Sequence, residues 1–158
     1  AIEVRSRHAI PAGYTYQPQE AWRAIAKWLV ERQRWPHPPD PSSFVFSANV
    51  VASFCNLIRA CTRESDGVVV MSPAYAPLQD AVKGTKRKLL LHPLTMQGTR
   101  YDLNLAALVS MLATERPAML LLINPHNPSG RVWSRVELEE IADACSVYEV
   151  LVVSDEIW

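Results

Sequence analysis

The stretch LLLINPHNPSGRVW, residues 120–133, runs from four apolar side chains straight into two asparagine–proline pairs around a histidine. An apolar run without alternation is what a strand needs when helices cover both of its faces. The prolines end regular pairing, because each lacks an amide hydrogen. Just beyond, Ser134 with Glu137 three residues later makes a capping box, so a helix is expected to run to about Val147. Strand, polar loop and helix in that order form half of a βαβ unit.

The same rhythm extends outward in both directions. Val50 to Arg63 reads as a helix, Gly67 to Met71 as a strand, Tyr75 to Lys83 as a helix and Lys88 to Leu91 as a strand. Asp102 is expected to cap a helix reaching about Thr114, Ala118 to Ile123 to form a strand, and Val150 to Val153 another. Phe44-Val45-Phe46 reads as a short strand. Nearer the start, Trp22, Ile25, Ala26, Leu29 and Val30 recur at helical spacing behind Pro18, giving an amphipathic helix over Gln19 to Arg34. The proline run from Pro36 to Pro41 cannot continue it. Strands separated by helices imply an α/β fold of three layers, a mostly parallel sheet flanked by helices. Residues 1–40 are expected to form an N-terminal segment and helix, and 41–158 a portion of a large domain.

Composition narrows the function classes. The 158 residues are 49% hydrophobic and 20% charged, and sixteen basic residues balance sixteen acidic ones. No global field gathers nucleic acid or an anionic membrane surface, so neither is an expected partner. Lys83, Lys86, Arg87 and Lys88 read as a solvated turn. Cys55, Cys61 and Cys145 show no metal or disulfide spacing, which fits a reducing, cytoplasmic setting. His8, His37, His92 and His126 lack metal-ligand spacing, so no metal is expected. The chain opens without methionine and stops at Ile157-Trp158 just past an apolar run, which reads as a piece of something longer.

In sheets of this kind ligands sit outside the carboxyl ends of the strands. The segments to inspect are therefore Ser47-Ala48-Asn49-Val50, Ser72-Pro73-Ala74-Tyr75, Asn124 to Gly130, and Ser154-Asp155-Glu156. Neither a Gly-x-Gly-x-x-Gly nor a Walker-type loop is among them, which argues against a nucleotide-binding sheet protein.

Asn124-Pro-His-Asn-Pro-Ser-Gly130, with Asp155 in Val-Val-Ser-Asp-Glu-Ile-Trp, resembles the pyridoxal-phosphate enzymes of the aspartate aminotransferase fold. Phe46-Ser-Ala-Asn-Val-Val51, Ser72-Pro-Ala-Tyr-Ala-Pro77, Leu91-His-Pro-Leu94 and Gly13-Tyr14-Thr15 resemble the branch of cystathionine beta-lyase and related carbon–sulfur lyases. The resemblance implies pyridoxal 5'-phosphate as cofactor, an amino acid as substrate and a homodimer. It implies Asp155 beside the ring nitrogen, where a carboxylate favours the protonated form. Asn127 would donate its amide to the ring's phenolic oxygen, and Tyr75 would stack on the ring. Ala48, Asn49 and Val50, at a helix start, would offer backbone amides to the phosphate. Asn49 stands where many relatives carry glycine, which puts its part in doubt, although asparagine also tolerates a left-handed backbone. Tyr14 would reach the neighbouring subunit's phosphate, and Trp158 would neighbour the cofactor.

Each residue also has a plainer use: Asp155 as a cap, the asparagine–proline pairs as turns, Tyr75 and Tyr14 as ordinary aromatics. His126, Ser129 and Glu156 are read as structural supports. The family's Schiff-base lysine lies downstream of the aspartate. Lys27, Lys83, Lys86 and Lys88 all precede it, so no catalytic residue is assigned and this chain alone is expected to lack turnover. The resemblance implies beta-elimination giving thiol, pyruvate and ammonia. An aminotransferase of the same fold, or a non-catalytic cofactor-sensing module, stays open beside it.

Overall fold

A computed structural model describes residues 19–158. The chain separates into two units, Ala1–Phe46 and Ser47–Trp158. In the first, helix α1 spans Gln19–Glu31 and a short 3-10 turn spans Pro41–Ser43. Phe44-Val45-Phe46 is not a strand. Phe44 stacks on Trp22 with ring centroids 5.4 Å apart, while Val45 and Phe46 are exposed. Its apolar character serves aromatic packing, and apolar content alone does not separate that use from a strand.

The second unit follows the expected alternation. Helix α2 is Val50–Cys61, β1 Gly67–Ser72, α3 Ala76–Gly84, β2 Lys88–Pro93, α4 Leu105–Glu115, β5 Met119–Ile123, α5 Arg135–Val147 and β6 Leu151–Asp155. Between β2 and α4 lies a small antiparallel hairpin, β3 Thr95–Gln97 with β4 Arg100–Asp102, that the apolar pattern does not announce. Gly98, at φ +61, makes its turn. The cap of α4 moves accordingly. Asn104 accepts the Ala107 N–H at 3.0 Å, while Asp102 ends β4 and pairs with Arg100 at 2.8 Å. Residue type alone points to Asp102 as the cap, but hairpin pairing claims it.

The large sheet is four parallel strands in the order β2-β1-β5-β6. Alternate residues of each strand enter opposite cores. Val68, Val70, Met119, Leu121 and Ile123 pack with Phe54 and Ile58 of α2 and Leu78, Ala81 and Val82 of α3. Val69, Met71, Leu120 and Leu122 pack with Leu108 and Leu112 of α4 and Ile141, Ala144 and Cys145 of α5. Helices on both faces explain the unalternated apolar runs, and each fully buried aliphatic side chain contributes about 1.5–3 kcal/mol. At Gly67 a Cβ would meet Leu90 Cδ1 at 2.7 Å and the Pro117 backbone at 3.3 Å, so a larger residue would have to displace the Leu90 side chain and press on Pro117.

Lys86 pairs with Glu64 and Lys88 with Glu115, as a solvated surface allows. Arg87 does not belong with them. Its Nε donates to Thr62 Oγ1 at 2.9 Å and its Nη2 to the Thr62 carbonyl at 2.6 Å, tying the ends of α2 and α3 together. The three cysteines are free, and burial pushes the Cys145 thiol up to about 11, the mark of a packing residue. Among the described residues no helix is long and apolar enough to cross a membrane.

Candidate functional site

Strand order sets the site. The chain leaves β1 for β2 on one side, and later places β5 on the other, so a topological switch falls between β1 and β5. The loops leaving them diverge, and a cavity of about 630 Å3 opens there, walled by Tyr75 after β1, by Ile123, Pro125 and Asn127 after β5, and by Asp155, Ile157 and Trp158 at the end of β6. Asn49, Val50 and Val51 at the start of α2 close the remaining wall.

Each wall has a local cause. Asp155 pairs in register with Ile123, which sets its side chain at the sheet's carboxyl edge. It is 9% exposed, and one carboxylate oxygen accepts the Ile157 N–H at 3.1 Å. Tyr75 occupies the cap position of α3 without making a side-chain cap bond, which leaves its ring 40% exposed at the cavity. Pro77 sits in the first turn of that helix, where a missing amide hydrogen costs nothing.

The two asparagines of the Asn124–Gly130 segment have separate tasks. Asn124 Oδ1 accepts the Trp133 N–H at 3.2 Å, and Trp133 Nε1 donates to the Ile123 carbonyl at 2.9 Å, so the loop is fastened where it leaves and where it returns. Asn127 instead lines the cavity. Between them His126 N–H donates to the Arg131 carbonyl at 2.7 Å, and His126 Nδ1 lies 2.8 Å from the Ser129 hydroxyl. Burial holds the His126 imidazole below its ordinary range, and the Arg131 charge works in the same direction. Buried and bonded to Ser129, the ring braces the loop.

At the start of α2, Asn49 Oδ1 accepts the Ala52 N–H at 2.8 Å and the Asn49 carbonyl takes Ser53 N–H at 3.0 Å. A helix leaves its first four amides without internal partners, so those of Val50 and Val51, two residues lining the cavity, have no partner within α2. Asn49 has φ −164 and ψ 171, which is extended backbone, so no left-handed conformation is needed there. Its side chain is spent on capping. Ala48 stands beside the cavity without lining it. Val51 lines it and is not singled out by the sequence pattern, although the second amide of a helix is as open as the first. Tyr14 lies outside the described residues. Of the second unit's lysines, Lys83, Lys86 and Lys88 are exposed and none lines the cavity.

The cavity thus offers a buried carboxylate on one wall, the positive end of a helix on another, a carboxamide and an exposed aromatic ring. That set suits a flat aromatic ligand with a basic ring atom and an anionic group, bound by an α/β sheet at its switch point.

The family description "Aminotransferase class I and II" matches residues 8–158, and the chain belongs to that family. It is 36% identical to cystathionine beta-lyase PatB of Bacillus subtilis over 99% of this chain and 40% of that protein. It is 31% identical to protein MalY of Escherichia coli with the same coverage. Among solved structures, cystalysin from Treponema denticola, which contains a pyridoxal 5'-phosphate cofactor, superposes with a TM-score of 0.91 at 30% identity, over 99% of this chain and 40% of that one. The chain spans about 40% of the length of these relatives.

Proposed function

We propose that this chain is the cofactor-binding portion of a pyridoxal-phosphate-dependent carbon–sulfur lyase acting on cystathionine or a cysteine-type amino acid. The observation that carries the reading is the meeting of Asp155, Asn127 and the open end of α2 on one cavity. The donor set fits the group. Bound there, pyridoxal phosphate supplies an electron sink for the charge left when the substrate's alpha proton departs.

The chain's own residues make that sink work. The Asp155 carboxylate holds a proton on the ring nitrogen, and burial strengthens the attraction because little water competes. The Asn127 amide donates to the phenolic oxygen. The Tyr75 ring covers the pyridine face. The amides of Val50 and Val51, aided by the helix dipole, receive the phosphate. Ile157 and Trp158 line the same cavity. Ala48 contributes at most through the entry of the chain into α2, and Asn49 through its cap.

The parent protein uses this set for beta-elimination, releasing thiol, pyruvate and ammonia, and works as a homodimer. A cytoplasmic setting accords with three unpaired cysteines. The likeness to PatB favours the lyase, while methionine aminotransferase of Escherichia coli, 25% identical over 99% of this chain, keeps amino transfer as the second reading. The deciding experiment supplies the full-length protein with pyridoxal phosphate and cystathionine. Stoichiometric thiol and pyruvate without any keto acid added supports the lyase. Product formation that depends on an added keto acid, with no thiol, would replace it by the transaminase.

A further inference from the structure

Resting on the pyridoxal-phosphate reading, we infer that Arg131 is a positioning residue: its guanidinium, held by Trp133, Glu137 and Asp102, fixes the loop that carries Asn127 and so fixes where that carboxamide points. The Arg131 side chain is only 6% exposed. Its guanidinium carbon lies 4.3 Å from the Trp133 ring centroid, Nη2 pairs with Glu137, and the same nitrogen is 3.6 Å from Asp102. Those partners belong to three places in the chain. Trp133 precedes α5, Glu137 is in its first turn, and Asp102 ends β4. A planar cation can lie flat on an indole and pair sideways at once, which an ammonium cannot.

The loop's internal bonds converge on the same residue. His126 N–H donates to the Arg131 carbonyl at 2.7 Å and Gly130 N–H to the His126 carbonyl at 2.7 Å, so Asn127 follows directly on a residue bonded to Arg131. Gly130 takes φ +68, the left-handed conformation that closes this tight return. Anchoring Arg131 therefore anchors both ends of the segment that presents Asn127. Two further donors, Nε and Nη1, are buried without a partner among the described residues. Simple filling of that space by an apolar side chain would avoid this desolvation, so the cation's gain lies in direction more than in cohesion. Arg100, 2.8 Å from Asp102 and 3.8 Å from Glu137, stays to compensate both acids if Arg131 is neutralised.

The test uses the full-length protein with Arg131→Met, Arg131→Lys, Asn127→Ala and the double variant. Amide hydrogen exchange of residues 124–133 is followed without cofactor, and pyridoxal phosphate affinity is read from quenching of tryptophan fluorescence. Arg131→Met is expected to speed exchange in the loop but not in β5, and to weaken the cofactor roughly tenfold. Added to Asn127→Ala it should cost little more, because it acts through that residue. Arg131→Lys should resemble Arg131→Met more than the wild type. Unchanged loop exchange in Arg131→Met, or a loss fully additive with Asn127→Ala, overturns the inference. Should Arg131→Met not fold, Asp102→Asn takes its place: faster loop exchange and weaker cofactor binding are again expected, and unchanged loop exchange again overturns the inference. If the wild type itself takes no pyridoxal phosphate, the cofactor reading falls, while exchange in the unliganded protein still decides the clamp.

Discussion

Helices α2 and α5 both begin at the carboxyl edge of the sheet, each with its third amide capped by the residue before the helix, and they differ in what lies in front of them. At α5 a reciprocal capping box and an arginine occupy the end. Ser134 Oγ takes the Glu137 N–H at 3.3 Å, Glu137 Oε2 takes the Ser134 N–H at 2.9 Å, and Arg131 pairs with the other oxygen. Burial by itself raises the Glu137 carboxyl, but the bonds from Ser134 and the Arg131 cation outweigh it and leave the group below its ordinary range. At α2 one amide is capped by Asn49, and Val50 and Val51 line a cavity. A helix end covered by its own capping box and a paired arginine has the look of scaffold. One that lines a cavity shared with a carboxamide suits the phosphate receptor proposed above.

The largest effect should come from emptying the receptor's opposite wall. Asp155→Ala in the full-length protein is expected to lower kcat/KM for cystathionine at least about a hundredfold, with the urea midpoint little changed; steady-state kinetics beside a denaturation curve checks both. A sharper probe is a matched pair of prolines. Val50→Pro removes one open amide from α2 while fitting a first helical position behind an extended residue, so circular dichroism should hold and pyridoxal phosphate affinity should fall roughly tenfold. Arg135→Pro, at the equivalent position of α5, should leave that affinity alone. Equal losses from both would erase the distinction between the two ends. Smaller again, Ser134→Ala is expected to cost about 1 kcal/mol of stability by opening the closed cap, with cofactor affinity unmoved in a fluorescence titration.

The smallest effect concerns pH and lies away from both ends. His92 is fully buried on β2 with neither ring nitrogen bonded among the described residues, and burial lowers its pKa from the ordinary 6.5. The unfolded chain therefore binds a proton more readily than the folded one below about 6.5, so stability is complete above that value and declines as pH falls through it. Urea midpoints at pH 7.5 and 5.5 should differ, and His92→Leu should shrink the difference. A His92→Leu protein as acid-sensitive as the wild type would locate the effect elsewhere, His126 being the next buried imidazole.

Much of the architecture is legible in the chain because its cause is local. Runs such as Val68-Val69-Val70 and Leu120-Leu121-Leu122 require cover on both faces, and Ser134 with Glu137 marks a helix start wherever it occurs. Two expectations about local elements fail, and for one kind of reason. Apolar content makes a strand of Phe44-Val45-Phe46 and residue type makes a cap of Asp102, yet in each case a partner remote from the pattern decides otherwise: the Trp22 ring in one, the β3–β4 pairing in the other. The roles of Arg87 and Arg131 are hidden for a related reason. An arginine looks solvated in a sequence, and only the groups folded around it reveal that it is bound.

The residues alone determined the alternation of elements, the apolar cores and the rim segments worth inspecting, because propensity, periodicity and capping act over a few positions. Only the tertiary structure decided that β5 and β6 lie side by side, that Asp155 and Asn127 therefore share a cavity with Val50 and Val51, and that Arg131 is buried against Trp133, Glu137 and Asp102. Those relations depend on which strands become neighbours, and strand order is settled by burying both faces of the sheet at once, a condition no single stretch of chain contains.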